Sequence, residues 1–385
     1  MKRTIYNEDH EAFRATIRDF IAKEVTPYFA DWEEVGYPPR ELFRKLADLG
    51  LTGFGIPEEF GGAGDVSFKY QAIIAEESAL SAVAMYNYGI SQGVVLPYLL
   101  NLANDEQRAR WFPGIAAGDL LLCIAMTEPG TGSDLAGIRT TATLSEDGTH
   151  YVLNGSKTFI SGARNSELCV VAARTSPATA EDRRAGLSLL VVPTNSAGFA
   201  FGRKLDKIGH LASDTNELTF TDVRVPVENL LGQEGAGFSY LGQNLPRERL
   251  SMGVEAVSRA TAAIEFALAY TKERTVFGKP VASFQNTKFV LAECKTEVAA
   301  AQAMVDKGLE LEDTDELTAA DAARIKLFCT EVAGRVIDKC LQLHGGYGYI
   351  REYPIARLYA DTRVNRIYGG TSEVLKTIIA KDMAV

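Results

Sequence analysis

Residues 151–174 read YVLNGSKTFISGARNSELCVVAAR. Within them, YVLNG at 151, KTFIS at 157 and LCVVAAR at 168 are short runs rich in β-branched and aromatic residues, which favour strands. LSLLVVP at 187 and ELTFTDVRVP at 217 continue the pattern, with Gly, Asn, Asp, Ser and Pro between the runs. Val223 and Val225 flank Arg224, the alternation of a half-buried strand. TSPATAEDRRAG at 175–186 reads as a solvated hairpin loop. These runs predict a small β domain over 121–232.

On both sides the apolar spacing becomes helical. Before the strands, Phe13, Ile17, Phe20 and Ile21 recur at helical intervals, and IPEEFGGAG at 56–64 punctuates the segment. After them, Ile325, Phe328, Cys329, Val332, Val336, Cys340 and Leu343 share one helical face. Thr318 and Asp321 resemble a capping box ahead of that helix, and Gly345 and Gly346 stop it. A second pattern over 247–274 is rich in Ala, Gly and Ser, which lets neighbouring helices approach closely. The expected class is α+β: a helical domain over 1–120, the β domain, and a helical domain over 233–385. Ligands commonly sit in clefts at such joints.

A chain of 385 residues suits two or three packed domains. Its net charge of −10 argues against a nucleic-acid partner, which would need clustered Lys and Arg. No apolar run reaches the roughly 18 residues of a transmembrane segment. The opening MKRTIYNEDHEAF lacks an apolar signal core, so a cytoplasmic location is expected. The five cysteines are scattered without a C-x-x-C pair, which points to buried thiols rather than disulfides or zinc. The four histidines have no metal-ligand spacing, so no metal is expected.

The chemistry concentrates in a few strings. AMTEPGTGSD at 125–134 offers hydroxyls at Thr127, Thr131 and Ser133, and glycines that bring backbone N–H groups close to an anionic ligand. Taken alone it would also suit an ordinary polar turn. With FIS at 159–161, RTVFG at 274–278, QLHGG at 342–346 and IYGGTSE at 367–373, it resembles the acyl-CoA dehydrogenase family along nearly the whole chain, and the long-chain enzymes most closely.

That resemblance implies a helical N-terminal lobe, a β-barrel-like middle domain and a four-helix C-terminal bundle. It implies FAD as cofactor, an acyl-CoA substrate dehydrogenated to the trans-2-enoyl-CoA as in fatty-acid β-oxidation, and electron-transfer flavoprotein as partner. A homotetramer is expected, because flavin contacts come from two subunits. Carried over residue by residue, Ile124, Ala125, Met126, Thr127, Ser133, Phe159, Ile160, Ser161, Arg274, Phe277, Gln285, Gln342, Gly345, Gly346, Thr371 and Glu373 fall on cofactor contacts. Ser133, Arg249 and Gly370 fall on substrate contacts.

Gly369 departs from the pattern, because many relatives carry the catalytic glutamate there. The α-hydrogen of a thioester is a weak acid, so a base must take it as hydride leaves the β-carbon. LPRERL at 245–250 places Glu248 at the family's other base position, just before Arg249. A branched short-chain (isovaleryl-type) enzyme carries its base at the same place. An oxygen-using flavin enzyme on the same fold is a further alternative.

Overall fold

A computed structural model describes residues 3–384. The first helices are α1 (Glu8–Phe20), α2 (Phe29–Val35), α3 (Arg40–Asp48) and α4 (Lys69–Leu80). The short α5 (Tyr86–Tyr88) runs through a π-helical stretch, Gly89–Val95, into α6 (Leu96–Leu102), and α7 (Asp105–Ala116) follows. α1 begins in a reciprocal capping box between Asn7 and His10. α7 begins in another, between Asn104 and Gln107.

Eight strands then form one sheet: β1 (Leu122–Ala125), β2 (Thr141–Leu144), β3 (His150–Ser161), β4 (Leu168–Arg174), β5 (Leu187–Pro193), β6 (Phe199–Lys204), β7 (Thr215–Pro226) and β8 (Leu230–Leu231). Their order is β6-β7-β3-β2-β4-β5-β8, with β1 parallel to β4. YVLNG and KTFIS are parts of one strand, β3. Its pairing with β7 shifts register around Gly155 and again between Lys157 and Ile160. The 175–186 segment joins the antiparallel β4 and β5, as its composition predicts.

LCVVAAR is apolar throughout because β4 is buried on both faces. Leu168, Val170 and Ala172 pack with Leu99, Trp111 and Phe112 of the N-terminal helices. Cys169, Val171 and Ala173 face Leu153, Leu218 and Val225 inside the curled sheet.

The C-terminal domain is built from α8 (Gly237–Glu273), α9 (Gln285–Asp313), α10 (Ala319–Leu343), α11 (Pro354–Thr362) and α12 (Ser372–Asp382). A two-stranded hairpin, β9 (Thr275–Val276) and β10 (Lys279–Pro280), links α8 to α9. α8 starts ten residues ahead of the pattern read at 247, and Pro246 lies inside it.

Two glycines set how closely these helices pack. A Cβ at Gly253 of α8 would sit 2.8 Å from Ile325, and one at Gly308 of α9 would sit 2.6 Å from the same side chain. Ile325 of α10 therefore wedges between α8 and α9 only because both positions lack a side chain. The α10 face agrees with its sequence pattern except at Phe328, which is exposed. Thr318 does cap α10 by accepting from the Asp321 N–H. All five cysteines are buried and free.

Candidate active site

A cavity of about 1470 Å³ opens where the three domains meet. Glu248 lies in its wall on α8, one turn beyond Asn244, and is 3 % exposed. Its Oε1 accepts from the Tyr98 hydroxyl at 3.0 Å and from the Asn244 Nδ2 at 3.2 Å. Asn244 is itself fixed by donating to the Val94 carbonyl. Burial raises the Glu248 pKa above the ordinary carboxylate range, and Tyr98, Asn244 and Arg249 offset only part of that rise. Tyr98 stays a donor, because burial and the neighbouring Glu248 push its own pKa well up.

A titration follows from this arrangement. The carboxyl loses its proton as pH rises through that raised pKa. Tyr98→Phe removes a donor to the ionised form and should raise that pKa further. A hydrogen bond to a charged group is worth about 1.5–3 kcal/mol, so the titration midpoint of this carboxyl, followed by its infrared stretch, should move up by about one to two pH units. An unmoved midpoint would mean that Tyr98 does not support the carboxylate.

Across from Glu248, the chain turns at Gly369 and Gly370, whose φ values are +61° and +101°. Two cations hold this turn. The Arg249 Nε donates to the Gly369 carbonyl at 3.2 Å, and the Lys326 Nζ donates to the Gly370 carbonyl at 2.7 Å. Arg249 is thus tied to backbone here, whereas its sequence reading was a substrate contact. Burial and the nearby Arg249 lower the Lys326 pKa to about 8.

The β-domain wall carries the 125–134 loop. Lys157, fully buried, donates to the Met126 carbonyl at 3.0 Å and to Glu128 at 2.9 Å. Glu128 also accepts the Arg139 and Thr140 N–H groups. Burial opposes its ionisation, but Lys157 and these donors outweigh that and hold its carboxyl below the usual range. The second register shift of β3 falls at Phe159, which has φ +60° and is 67 % exposed. A strained residue at a bulge re-aims a side chain, and here the ring turns into the cavity. Ser161 lies beside Thr215, Oγ to Oγ1 3.1 Å, facing the same space.

Ile124, Met126, Thr127, Ser133, Phe159, Ile160, Ser161, Glu248, Arg249, Gly370 and Thr371 all line the cavity. Ala125 does not, since its side chain packs inside the sheet. Glu373 does not either, because it is exposed in the first turn of α12. Arg274, Phe277, Gln285, Gln342, Gly345 and Gly346 gather around the opposite ends of α8, α9 and α10, away from this cavity. Arg274 stacks on Tyr347 there, and Phe277 is 94 % exposed. His344 is structural: its ring stacks on Tyr270 and its Nδ1 bonds the Cys340 carbonyl. The sequence reading missed Tyr98, Asn244, Lys157 and Lys326. A lysine inside an apolar helical face was the one visible signal, at Lys326.

Residues 7–119 match the acyl-CoA dehydrogenase N-terminal domain, 123–223 its middle domain and 235–384 its C-terminal domain. The chain belongs to the acyl-CoA dehydrogenase family. It is 43% identical over 381 residues to the mitochondrial long-chain specific acyl-CoA dehydrogenase of Sus scrofa, covering 99% of this chain and 88% of that one. The crystal structure of the acyl-CoA dehydrogenase from Geobacillus kaustophilus superposes with a TM-score of 0.96 at 41% identity, over all of both chains. An acyl-CoA dehydrogenase from Bacillus anthracis, solved in complex with FAD, gives a TM-score of 0.90 at 31% identity and covers 98% of this chain and 68% of that one. As an acyl-CoA dehydrogenase, this protein is an FAD-dependent oxidoreductase acting on acyl-CoA. Its cavity suits that cofactor, with an out-turned aromatic ring at Phe159, hydroxyls at Thr127, Ser133 and Ser161, and a loop buttressed by a buried ion pair.

Proposed function

We propose that this enzyme dehydrogenates a long, straight acyl-CoA to the trans-2-enoyl-CoA in fatty-acid β-oxidation, with Glu248 as the base. The observation that carries the reading is a buried, doubly hydrogen-bonded carboxylate at the head of an apolar channel. Glu248 takes the α-proton, and its raised pKa makes it a stronger base than an exposed glutamate. Bound FAD supplies the acceptor for the β-hydride. The thioester oxygen gains negative charge as the proton leaves and needs donors already in place. The N–H groups of the Gly369–Gly370 turn suit that task, because among the described residues neither donates to a protein group.

Chain length is read from the channel walls. Beyond Glu248 the cavity runs between α4 and the π-helical stretch, past Ala72, Ala75, Ala79, Gly89 and Gly93. A Cβ at Gly89 would meet nothing within 4 Å, and one at Gly93 only the Gln71 amide oxygen at 3.6 Å. Small residues there leave room for a long tail. Gly93→Leu should lower kcat/KM for palmitoyl-CoA at least about tenfold and leave butyryl-CoA within about twofold. Equal losses on both substrates would contradict the assigned channel.

The cofactor is best read as shared between subunits of a homotetramer. About 26 residues of helix separate Glu248 from Arg274, or ~39 Å at 1.5 Å per residue. Arg274, Phe277, Gln285, Gln342, Gly345 and Gly346 therefore serve the cavity of a neighbouring copy. Electrons leave the reduced flavin to electron-transfer flavoprotein.

A further inference from the structure

Lys326 has no part in the chemistry derived above, yet its position is costly. It is 0 % exposed, its Nζ bonds only the Gly370 carbonyl, and among the described residues it forms no ion pair. The charged group that perturbs it is another cation, Arg249. An ammonium buried without a carboxylate is a poor way to stabilise a fold. It comes from α10, yet it reaches the same two-residue turn that Arg249 reaches from α8.

Two successive glycines with positive φ form a turn with little intrinsic preference for one geometry. Its two carbonyls are each held by a cation, so the peptide planes that follow Gly369 and Gly370 are both fixed. The first of these planes carries the Gly370 N–H, which is then aimed by a bond made on its far side. The second plane, the one Lys326 holds, carries the Thr371 N–H and fixes Gly370 from its other end, while the Gly369 N–H lies in the preceding plane, on the Tyr368 carbonyl, and is held only through the turn it opens. The N-terminus of α12 begins just beyond, at Ser372, and adds positive potential to the same wall.

We propose that Lys326 is a positioning residue that, together with Arg249, locks the Gly369–Gly370 turn so that its N–H groups face the thioester oxygen. It touches neither substrate nor cofactor and acts through the Gly370 carbonyl. The inference rests on the reading of this cavity as the thioester site.

The test uses holoenzyme carrying Glu248→Gln, which binds substrate for a spectrum without turnover, with and without Lys326→Met. The probe is palmitoyl-CoA labelled with ¹³C at its thioester carbonyl, read by infrared difference spectroscopy. With Lys326 present the bound carbonyl band should shift to lower frequency than in water, and Lys326→Met should abolish most of that shift. In the Glu248 background Lys326→Met should slow flavin reduction about 10- to 100-fold and change KM less than threefold. Its Tm should stay level or rise, since replacing a buried charge by an apolar chain of similar length is often neutral or stabilising. A retained carbonyl shift, or a lower Tm with an unchanged rate, would overturn the proposal. Should Lys326→Met fail to accumulate as holoenzyme, Lys326→Gln keeps a shorter, uncharged donor, and its band must fall between those of the parent protein and water. A turnover-competent Glu248→Gln would sink the base assignment alone, because the carbonyl band reports on the turn whichever group removes the proton.

Discussion

Glu248→Gln is expected to retain FAD and bind acyl-CoA, yet to reduce its flavin about 10²–10⁴-fold more slowly than the parent enzyme. The amide oxygen of glutamine can still accept from Tyr98 and Asn244, so the local bonds survive. What disappears is the capacity to take a proton. Rapid mixing of the oxidised variant with palmitoyl-CoA under anaerobic conditions measures this as loss of flavin absorbance. A near-parental rate would place the base elsewhere.

The second large effect comes from moving the base. Glu248→Gly should be as inert as Glu248→Gln, and adding Gly369→Glu should restore only a little activity. The structure gives two reasons. Gly369 has φ +61°, which costs a residue with a side chain about 1–2 kcal/mol. A Cβ there would also overlap the end of the Met252 side chain, which lies one turn beyond Glu248 on α8. Met252→Ala clears that space, so the triple variant should outperform the double by about tenfold or more. The new carboxylate would lie near Arg249 and Lys326, and nearby cations favour its ionised form. Its acid limb should therefore sit at lower pH than that of the parent. Flavin reduction across pH in the four proteins checks both points. A triple variant no faster than Glu248→Gly would show that the two positions do not serve the same carbon.

Much of this arrangement was legible in the sequence, because the relevant signals are local. The helix–strand–helix order follows from apolar period, and the loop at 125–134 from glycines and hydroxyls packed into ten residues. Glu248 was singled out through the family resemblance, because the glutamate that many relatives carry is missing at Gly369 and a carboxylate stands before Arg249. What stayed hidden depends on burial or on distant partners. Tyr98 and Glu248 are 150 residues apart, and nothing in an apolar helix marks one hydroxyl as a donor. The start of α8 was missed because Ala236 provides no side-chain cap and Pro246 reads as a boundary. The single strand β3 looked like two because Gly155 interrupts its pairing. The π-helical stretch at Gly89–Val95 has no distinctive local pattern, yet it supplies the two glycines that open the channel.

Proton removal can be measured apart from hydride transfer, and that tests the role of Glu248 most directly. A β-thia acyl-CoA has no β-hydrogen to lose, so in D₂O only exchange at its α-carbon remains. With parent holoenzyme, nuclear magnetic resonance should show deuterium entering the α-position on mixing, with a rate that rises as pH passes upward through the raised pKa of Glu248. With Glu248→Gln, exchange should fall to the rate of the free thioester. Undiminished exchange in the variant would contradict the assignment of Glu248 as the base.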